Sequence, residues 1–466
     1  MTNLKTRRDF LKTSAKGLGS LALFPYSSIF GQTLPASEDL EKHFFIQLNV
    51  RGGWDTRYLL DARPLEFRVK NLMHDYSKSE PEKITSSNGQ SLWLSPSANS
   101  LKEHLSDCCI VNGVIMQHTG PDGHDLVSNE WFTGSQMGGL CFLPLFNKTA
   151  QKKSSLDAIS LGANFPKAFT NLSHIPHLSF GNASKLSQIA PIEKFPALEF
   201  AMSRMEFLSN GTGQISRAAK LMSQNFKSAP ELVTRLRSLT PPTVEGSTPL
   251  EKMISALHLS LDSFKKGVAK SALITTFDST EFGMDTHAFQ SAQQMPSRMK
   301  NVADLISSYF KILKTTPFDD TKSFFDVCTI LVTSEFSRTL YQGGKSLDET
   351  GTDHNSLNNT VILAGKGVRR GTIIGQSDWQ NVDEVLDPAH LGRDSSKRKL
   401  IGRAFDFNLQ QNILVPQLNF DPSNYIIGNS VINTLLKIFQ VPEEFYRKIE
   451  RNGTTAKILT SALASL

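Results

Sequence analysis

Five polar segments of this 466-residue chain place aspartate, glutamate or histidine beside a short apolar run. "FFIQLNV" (44–50) is followed by "RGGWDT", which carries Asp55, and "CCIVNGV" (108–114) by "QHTGPDGHDLVSNEW", with His118, Asp122, His124 and Asp125. "ALITTF" (272–277) leads into "DSTEFGMDTHAFQ", with Asp278, Asp285 and His287. "VCTILVT" (327–333) runs into "SEFSRT", with Glu335 and Arg338, and Asp353-His354 stand just before "NTVILAG" (359–365). Carboxylate oxygen and imidazole nitrogen are ligands for zinc, manganese and similar divalent ions. Two such ions side by side can clamp a phosphoryl or sulfuryl group and activate the attacking oxygen. One residue separates Asp285 from His287, so an extended backbone turns both side chains the same way. Gly52, Gly53, Gly283 and Gly351 would let the backbone come close there.

Each of these residues also has a plain structural reading. An aspartate after a strand is often a helix N-cap. His287 could begin a helix, Asp353-His354 could close a turn, and Arg338 could pair with Glu335 at little energy. Their shared position at run ends is what favours metal binding. His43, His74, His104, His174, His177, His258 and His390 have no partner pattern and read as structural or surface residues.

The apolar runs that position these groups are six or seven residues long and rich in Val, Ile, Leu, Phe and Thr. They read as buried strands of a parallel or mixed sheet. Helical patterns lie between them at 249–270 and 288–313, the latter with Pro296 near a start or kink. Strand alternating with helix predicts an α/β fold with crossovers, and ligands of such sheets bind outside the carboxyl ends of the strands. Residues 196–248 are helical in pattern, ending in the Pro- and Gly-rich "TPPTVEGSTP", and read as a helical insertion able to cap the site. The stretch 429–449 predicts one or two closing helices.

With 39% hydrophobic and 20% charged residues, the chain can bury a core. Of the formal charge of +6, residues 1–36 hold +4, from Lys5, Arg7, Arg8, Lys12 and Lys16 against Asp9. The remaining body is nearly neutral, which argues against nucleic-acid binding. "TRRDFLK" (6–12) followed by a short, Gly/Ser-containing apolar stretch reads as a twin-arginine signal peptide over residues 1–36. That reading predicts export to the periplasm, with the twin-arginine translocase as a transient partner, and leaves residues 37–466 as the folded domain. The stretch is too short to span a bilayer. Cys108, Cys109, Cys141 and Cys328 lack zinc-type spacing and read as buried small hydrophobes, although an exported chain could also pair them. There is no Walker A sequence and no Gly-x-Ser-x-Gly elbow.

The pieces "IQLNVRGGWDT", "HDLVSNEWFTGS", "GMDTHAFQ", "LVTSEFSRTLYQGG" and "GTDHNSLNNTVILAGKGVRRGTIIG", together with the leader, resemble a family of exported bacterial proteins of unknown function. That family is placed within the alkaline phosphatase/sulfatase superfamily. The resemblance implies an α/β, alkaline phosphatase-like three-layer sandwich: a central, mostly parallel sheet with helices on both faces. It also implies divalent metal (zinc, manganese or calcium) at the strand ends. Asp55 would be the first-strand ligand, Asp285 and His287 would follow, Glu335 would stand for the aspartate of an Asp-His pair, and His354 would be the late histidine ligand. His124 lies near the start of the nucleophile helix and could act as acid or base; Arg338 could stabilise oxyanion charge. Two departures stand out. Phe336 follows Glu335 where a phosphatase has histidine, and "PDGHD" offers no hydroxyl nucleophile. The Cys-x-Pro-x-Arg pattern of sulfatases is absent.

These features lead to an exported, metal-binding, hydrolase-like protein for small phosphate or sulfate esters. The alternative is a non-catalytic binding or assembly protein that keeps the fold with a degenerate site. The oligomeric state stays open.

Overall fold

Phe44–Val50 is buried at all seven positions, as expected for a strand covered on both faces, and it forms strand β1 at the middle of the sheet. In the computed structural model the described residues are 42–62, 80–116, 123–135, 139, 141–150, 154–163, 175, 177–178, 231–240, 247–339, 351–381, 398–413, 421–449 and 453–464. Residues 1–36, where a signal peptide is expected, His118, Asp122 and most of the expected insertion lie outside them; 231–238 is helical.

The other strands of the main sheet are β2 (Cys108–Asn112), β3 (Leu156–Gly162), β4 (His177–Leu178), β5 (Ala269–Thr275), β6 (Cys328–Ser334), β7 (Thr360–Gly365) and β8 (Thr372–Ile374). Their spatial order is β8-β2-β7-β6-β1-β5-β3-β4. All neighbours run parallel except β7, which is antiparallel to both β2 and β6. The fold is therefore mixed α/β with a mostly parallel central sheet. All five sequence-predicted strands are present. Strand β3, "LDAISLG", the two-residue β4 and the three-residue β8 have no counterpart among the expected runs.

Alternation along β1 sends its side chains into two cores. Phe44, Ile46, Leu48 and Val50 pack with Met253, Leu257, Met299, Val302 and Phe310. These come from helices α2 (Pro249–Lys265) and α3 (Met295–Thr315). Phe45 points the other way, to Trp131, Phe132 and Leu435, from helices α1 (His124–Thr133) and α4 (Gly428–Ile438). Helix α2 begins in a capping box of Thr248 with Glu251 and Pro249 in its first turn. It stops at Lys265, short of the 270 that its apolar spacing suggests, because β5 needs the chain from Ala269. In α3, Pro296 falls at the start, where its missing N–H costs nothing. Among the described residues no helix is long and apolar enough to cross a membrane. All four cysteines are buried and unbridged, and burial pushes the thiols of Cys109 and Cys141 up to about 12.

The parallel strands β1, β2, β5 and β6 end at one edge of the sheet. The antiparallel β7 begins at that same edge, so the segment just before it also arrives there.

Candidate metal centre

Five loops meet at this edge. After β1, Gly52 and Gly53 take φ of +100° and +73°, which a side chain would resist. A Cβ on Gly52 would lie 2.7 Å from the Asp285 backbone N, and one on Gly53 would lie 2.3 Å from the Phe336 ring. The double glycine thus lets the β1 loop slide between the loop after β5 and the turn after β6. Helix α1 opens on His124, with Gly123 as an N-cap that makes no side-chain bond. Residues Ser337–Arg338 and His354–Asn355 form a two-residue antiparallel ladder in which His354 faces Arg338. The ladder carries His354 back over the site.

Together these loops bring His124, Asp285, His287 and His354 into one group whose ligand atoms lie within 4.8 Å of one another. His354 Nε2 is 3.0 Å from Nε2 of His287 and 3.0 Å from Nε2 of His124. Asp285 closes the group, with Oδ1 3.2 Å from His287 Nε2 and Oδ2 3.6 Å from His124 Nε2. Neutral imidazoles share at most one proton at each such contact, so three Nε2 atoms turned on one another are a natural set of lone-pair donors.

Behind this group stand the groups that orient it. Glu335 is buried, and its Oε2 lies 2.6 Å from His124 Nδ1 while also accepting from Gly52 N at 3.0 Å. A carboxylate at Nδ1 fixes the tautomer that leaves Nε2 free to bind. Asp353 plays a looser part for His287, with Oδ1 3.6 Å from Nδ1. Arg338 is fully buried; it donates to Asp285 Oδ1 at 2.9 Å, to Gly53 O at 3.0 Å and to Gly52 O. The Phe336 ring fills the space beside the imidazoles, 4.4 Å from His354 and 5.0 Å from His124 between ring centres.

The electrostatics follow from this packing. Burial opposes charge on His124, but Asp285 and Glu335 outweigh it and hold its pKa up at about 9. Burial, with Arg338 and the adjoining imidazoles, holds His354 down at about 3, and burial with Arg338 lowers His287 as well. Burial works against the Asp285 carboxylate, yet His124 and Arg338 keep it ionised well below the usual range.

Of the expected metal ligands, Asp285, His287 and His354 meet here. His124, expected as an acid or base, joins them as a fourth donor. Asp55 does not reach the group: it caps the turn Thr56–Tyr58 and is gripped by Arg57 through Nε at 2.8 Å, Nη2 and the backbone N at 3.1 Å. Glu335 stands one layer behind as the partner of His124. Arg338, expected at an oxyanion, has no exposed side-chain surface and positions Asp285 instead. Arg57 was missed by sequence reasoning; its position two residues after Asp55, at the turn an N-cap aspartate would start, was the available signal.

Over residues 209–393 the chain is similar to the family described as protein of unknown function (DUF1501). That span carries Asp285, His287, Glu335, Arg338 and His354. No curated protein matches the chain. Among solved structures it is similar to the lipoteichoic acid synthase LtaP from Listeria monocytogenes, at 9% identity and a TM-score of 0.30, over 77% of this chain and 73% of that one.

Proposed function

We propose that this chain is an exported, divalent-metal-binding, hydrolase-like protein of alkaline phosphatase-like architecture that acts on small phosphate or sulfate esters. The observation that carries the reading is the convergence of three imidazole nitrogens and one carboxylate at the carboxyl edge of the sheet. Three nitrogens and one oxygen suit zinc or manganese; calcium, which takes oxygen ligands, suits the set poorly. When bound, such an ion supplies Lewis-acid polarisation of an ester oxygen and makes nearby water more acidic.

The chain's own groups do the rest. Glu335 holds the His124 ring, Arg338 holds Asp285, and the partly exposed Asp285 and His287 form the open side through which an ester would enter. The start of α1 presents Gly123 and His124 rather than a hydroxyl. This supports direct attack by water over a covalent intermediate.

The test is hydrolysis of p-nitrophenyl phosphate and p-nitrophenyl sulfate by protein loaded with zinc or manganese. The reading expects turnover of one ester, lost on chelation and reduced at least about a hundredfold by His354→Ala. Export is tested separately: Arg7→Lys with Arg8→Lys is expected to leave the protein in the cytoplasm.

Phe336 and Gly123 favour a second reading, a non-catalytic binding or assembly protein. Failure of both esters with a metal-loaded protein would support it.

A further inference from the structure

His287 and His354 lie 67 residues apart in the chain, yet their Nε2 atoms stand 3.0 Å from one another. We infer that Thr286 and Thr352 are positioning residues for the metal centre: their buried hydroxyl pair sets the separation of His287 from His354. The inference rests on the metal reading above and concerns residues that touch no ion themselves.

Thr286 stands between the donors Asp285 and His287, and Thr352 stands two residues before His354. Both threonines are wholly buried, and their Oγ1 atoms meet at 2.7 Å. The backbone repeats the contact, with Thr352 N donating to Thr286 O at 2.8 Å. Gly351 permits the approach: a Cβ there would lie 2.3 Å from His287 C, His287 O and Thr286 O. The segment 351–354 is therefore laid directly on 285–287. On its other side it is held by Thr339, whose Oγ1 accepts from Asp353 N at 2.8 Å and whose N donates to Asp353 O at 2.9 Å. Thr339 ties the segment to the turn after β6, and the threonine pair ties it to the loop after β5.

A hydroxyl pair specifies geometry more tightly than an apolar contact does. Its O···O distance is confined to about 2.5–3.0 Å, whereas methyl groups can slide over one another. A buried hydroxyl that loses its partner also has no water to turn to, so the bond resists opening. Rigid peptide units carry that fixed distance to the two imidazoles, over one residue on the Thr286 side and two on the Thr352 side.

The experiment is zinc affinity of the full-length chain, by competition with a chromophoric chelator, for Thr286→Val, Thr352→Val and the double variant. Urea unfolding of the metal-free proteins is followed alongside. Valine keeps the branched shape and removes the hydroxyl. Each single valine variant is expected to bind zinc at least about tenfold more weakly. The double variant is expected to bind no more weakly than the weaker single, because the same bond is lost only once. Thr286→Ser and Thr352→Ser keep the hydroxyl and are expected to stay near wild-type affinity. The ligand-field bands of bound cobalt(II) should move in the valine variants and stay in place in the serine ones. Wild-type affinity and bands in both single valine variants, with only the urea midpoint lowered, would show that the pair serves stability alone and overturn the inference. Losses that add, or an equal loss in the serine variants, would overturn it as well. Where a valine variant does not fold, alanine at that position takes its place with the same expectations. A folded wild type that takes up no zinc would overturn the metal reading and the inference with it.

Discussion

Glu335 and His124, 211 residues apart in the chain, meet through a 2.6 Å contact between Oε2 and Nδ1. The contact joins the turn after β6 to the first residue of α1 and aims the other imidazole nitrogen at His354 and Asp285. A carboxylate that looks like a ligand in the sequence thus acts through a histidine. Glu335→Gln is expected to weaken zinc binding about 10–100-fold, and Glu335→Ala by at least as much. Competition with a chromophoric chelator measures this. Unchanged affinity in both variants would show that the contact does not orient His124.

Proton release should accompany metal uptake. His124 titrates at about 9 in the metal-free protein, held up by the two carboxylates against its burial. A ligand must be neutral, so binding at pH 7 displaces close to one proton, and affinity should climb with pH until about 9. Calorimetry in buffers of different ionisation enthalpy counts that proton. The same shift fixes the sign for stability without metal. The folded pKa lies above the ordinary value of about 6.5, so the contribution is complete below that pH and is lost as pH rises through about 9. Urea melts of the stripped protein at pH 6 and pH 9 should show this loss, and His124→Ala should abolish it.

Asp55 and Arg57 form a buried ion pair, with side chains 0% and 6% exposed. Arg57→Ala leaves the carboxylate buried without its partner and is expected to cost about 3–5 kcal/mol, read from urea unfolding. Removing both charges together should cost less than Arg57→Ala alone. Metal content of the folded double variant should match that of the wild type, since neither residue is a donor.

Gly52→Ala tests the close approach of the β1 loop to Asp285. The backbone is left-handed there, and the new Cβ would stand 2.7 Å from Asp285 N. The expected outcome is a loss of about 1–3 kcal/mol, together with weaker zinc binding as Asp285 is pushed from the group. Thermal unfolding and the chelator competition check the two parts separately. A stability loss with intact affinity would show that Asp285 is placed by Arg338 alone.

The strands were legible because buried parallel strands leave continuous apolar runs such as "FFIQLNV" and "VCTILVT", and these appear at Phe44–Val50 and Cys328–Ser334. "LDAISLG" does not stand out as an apolar run because aspartate, serine and glycine dilute its signal, although its last five residues are all buried. The site was legible as a set of polar clusters at one sheet edge, since topology alone carries strand ends together. The division of labour within it was not. Whether Asp55 meets an ion or Arg57, and whether Glu335 or His124 faces the group, depends on side-chain pairings between residues far apart in sequence. The same holds for Arg338, whose charge suggests an anion site but whose burial makes it a support for Asp285 and the Gly52-Gly53 backbone.

The central claim is that His124, Asp285, His287 and His354 hold a divalent metal. The most direct test is anomalous diffraction at the zinc edge from crystals of the zinc-loaded protein. The account predicts one strong anomalous peak in contact with Nε2 of all three histidines and with the Asp285 carboxylate. A peak elsewhere, or none while the imidazoles keep their 3.0 Å contacts with one another, would contradict it.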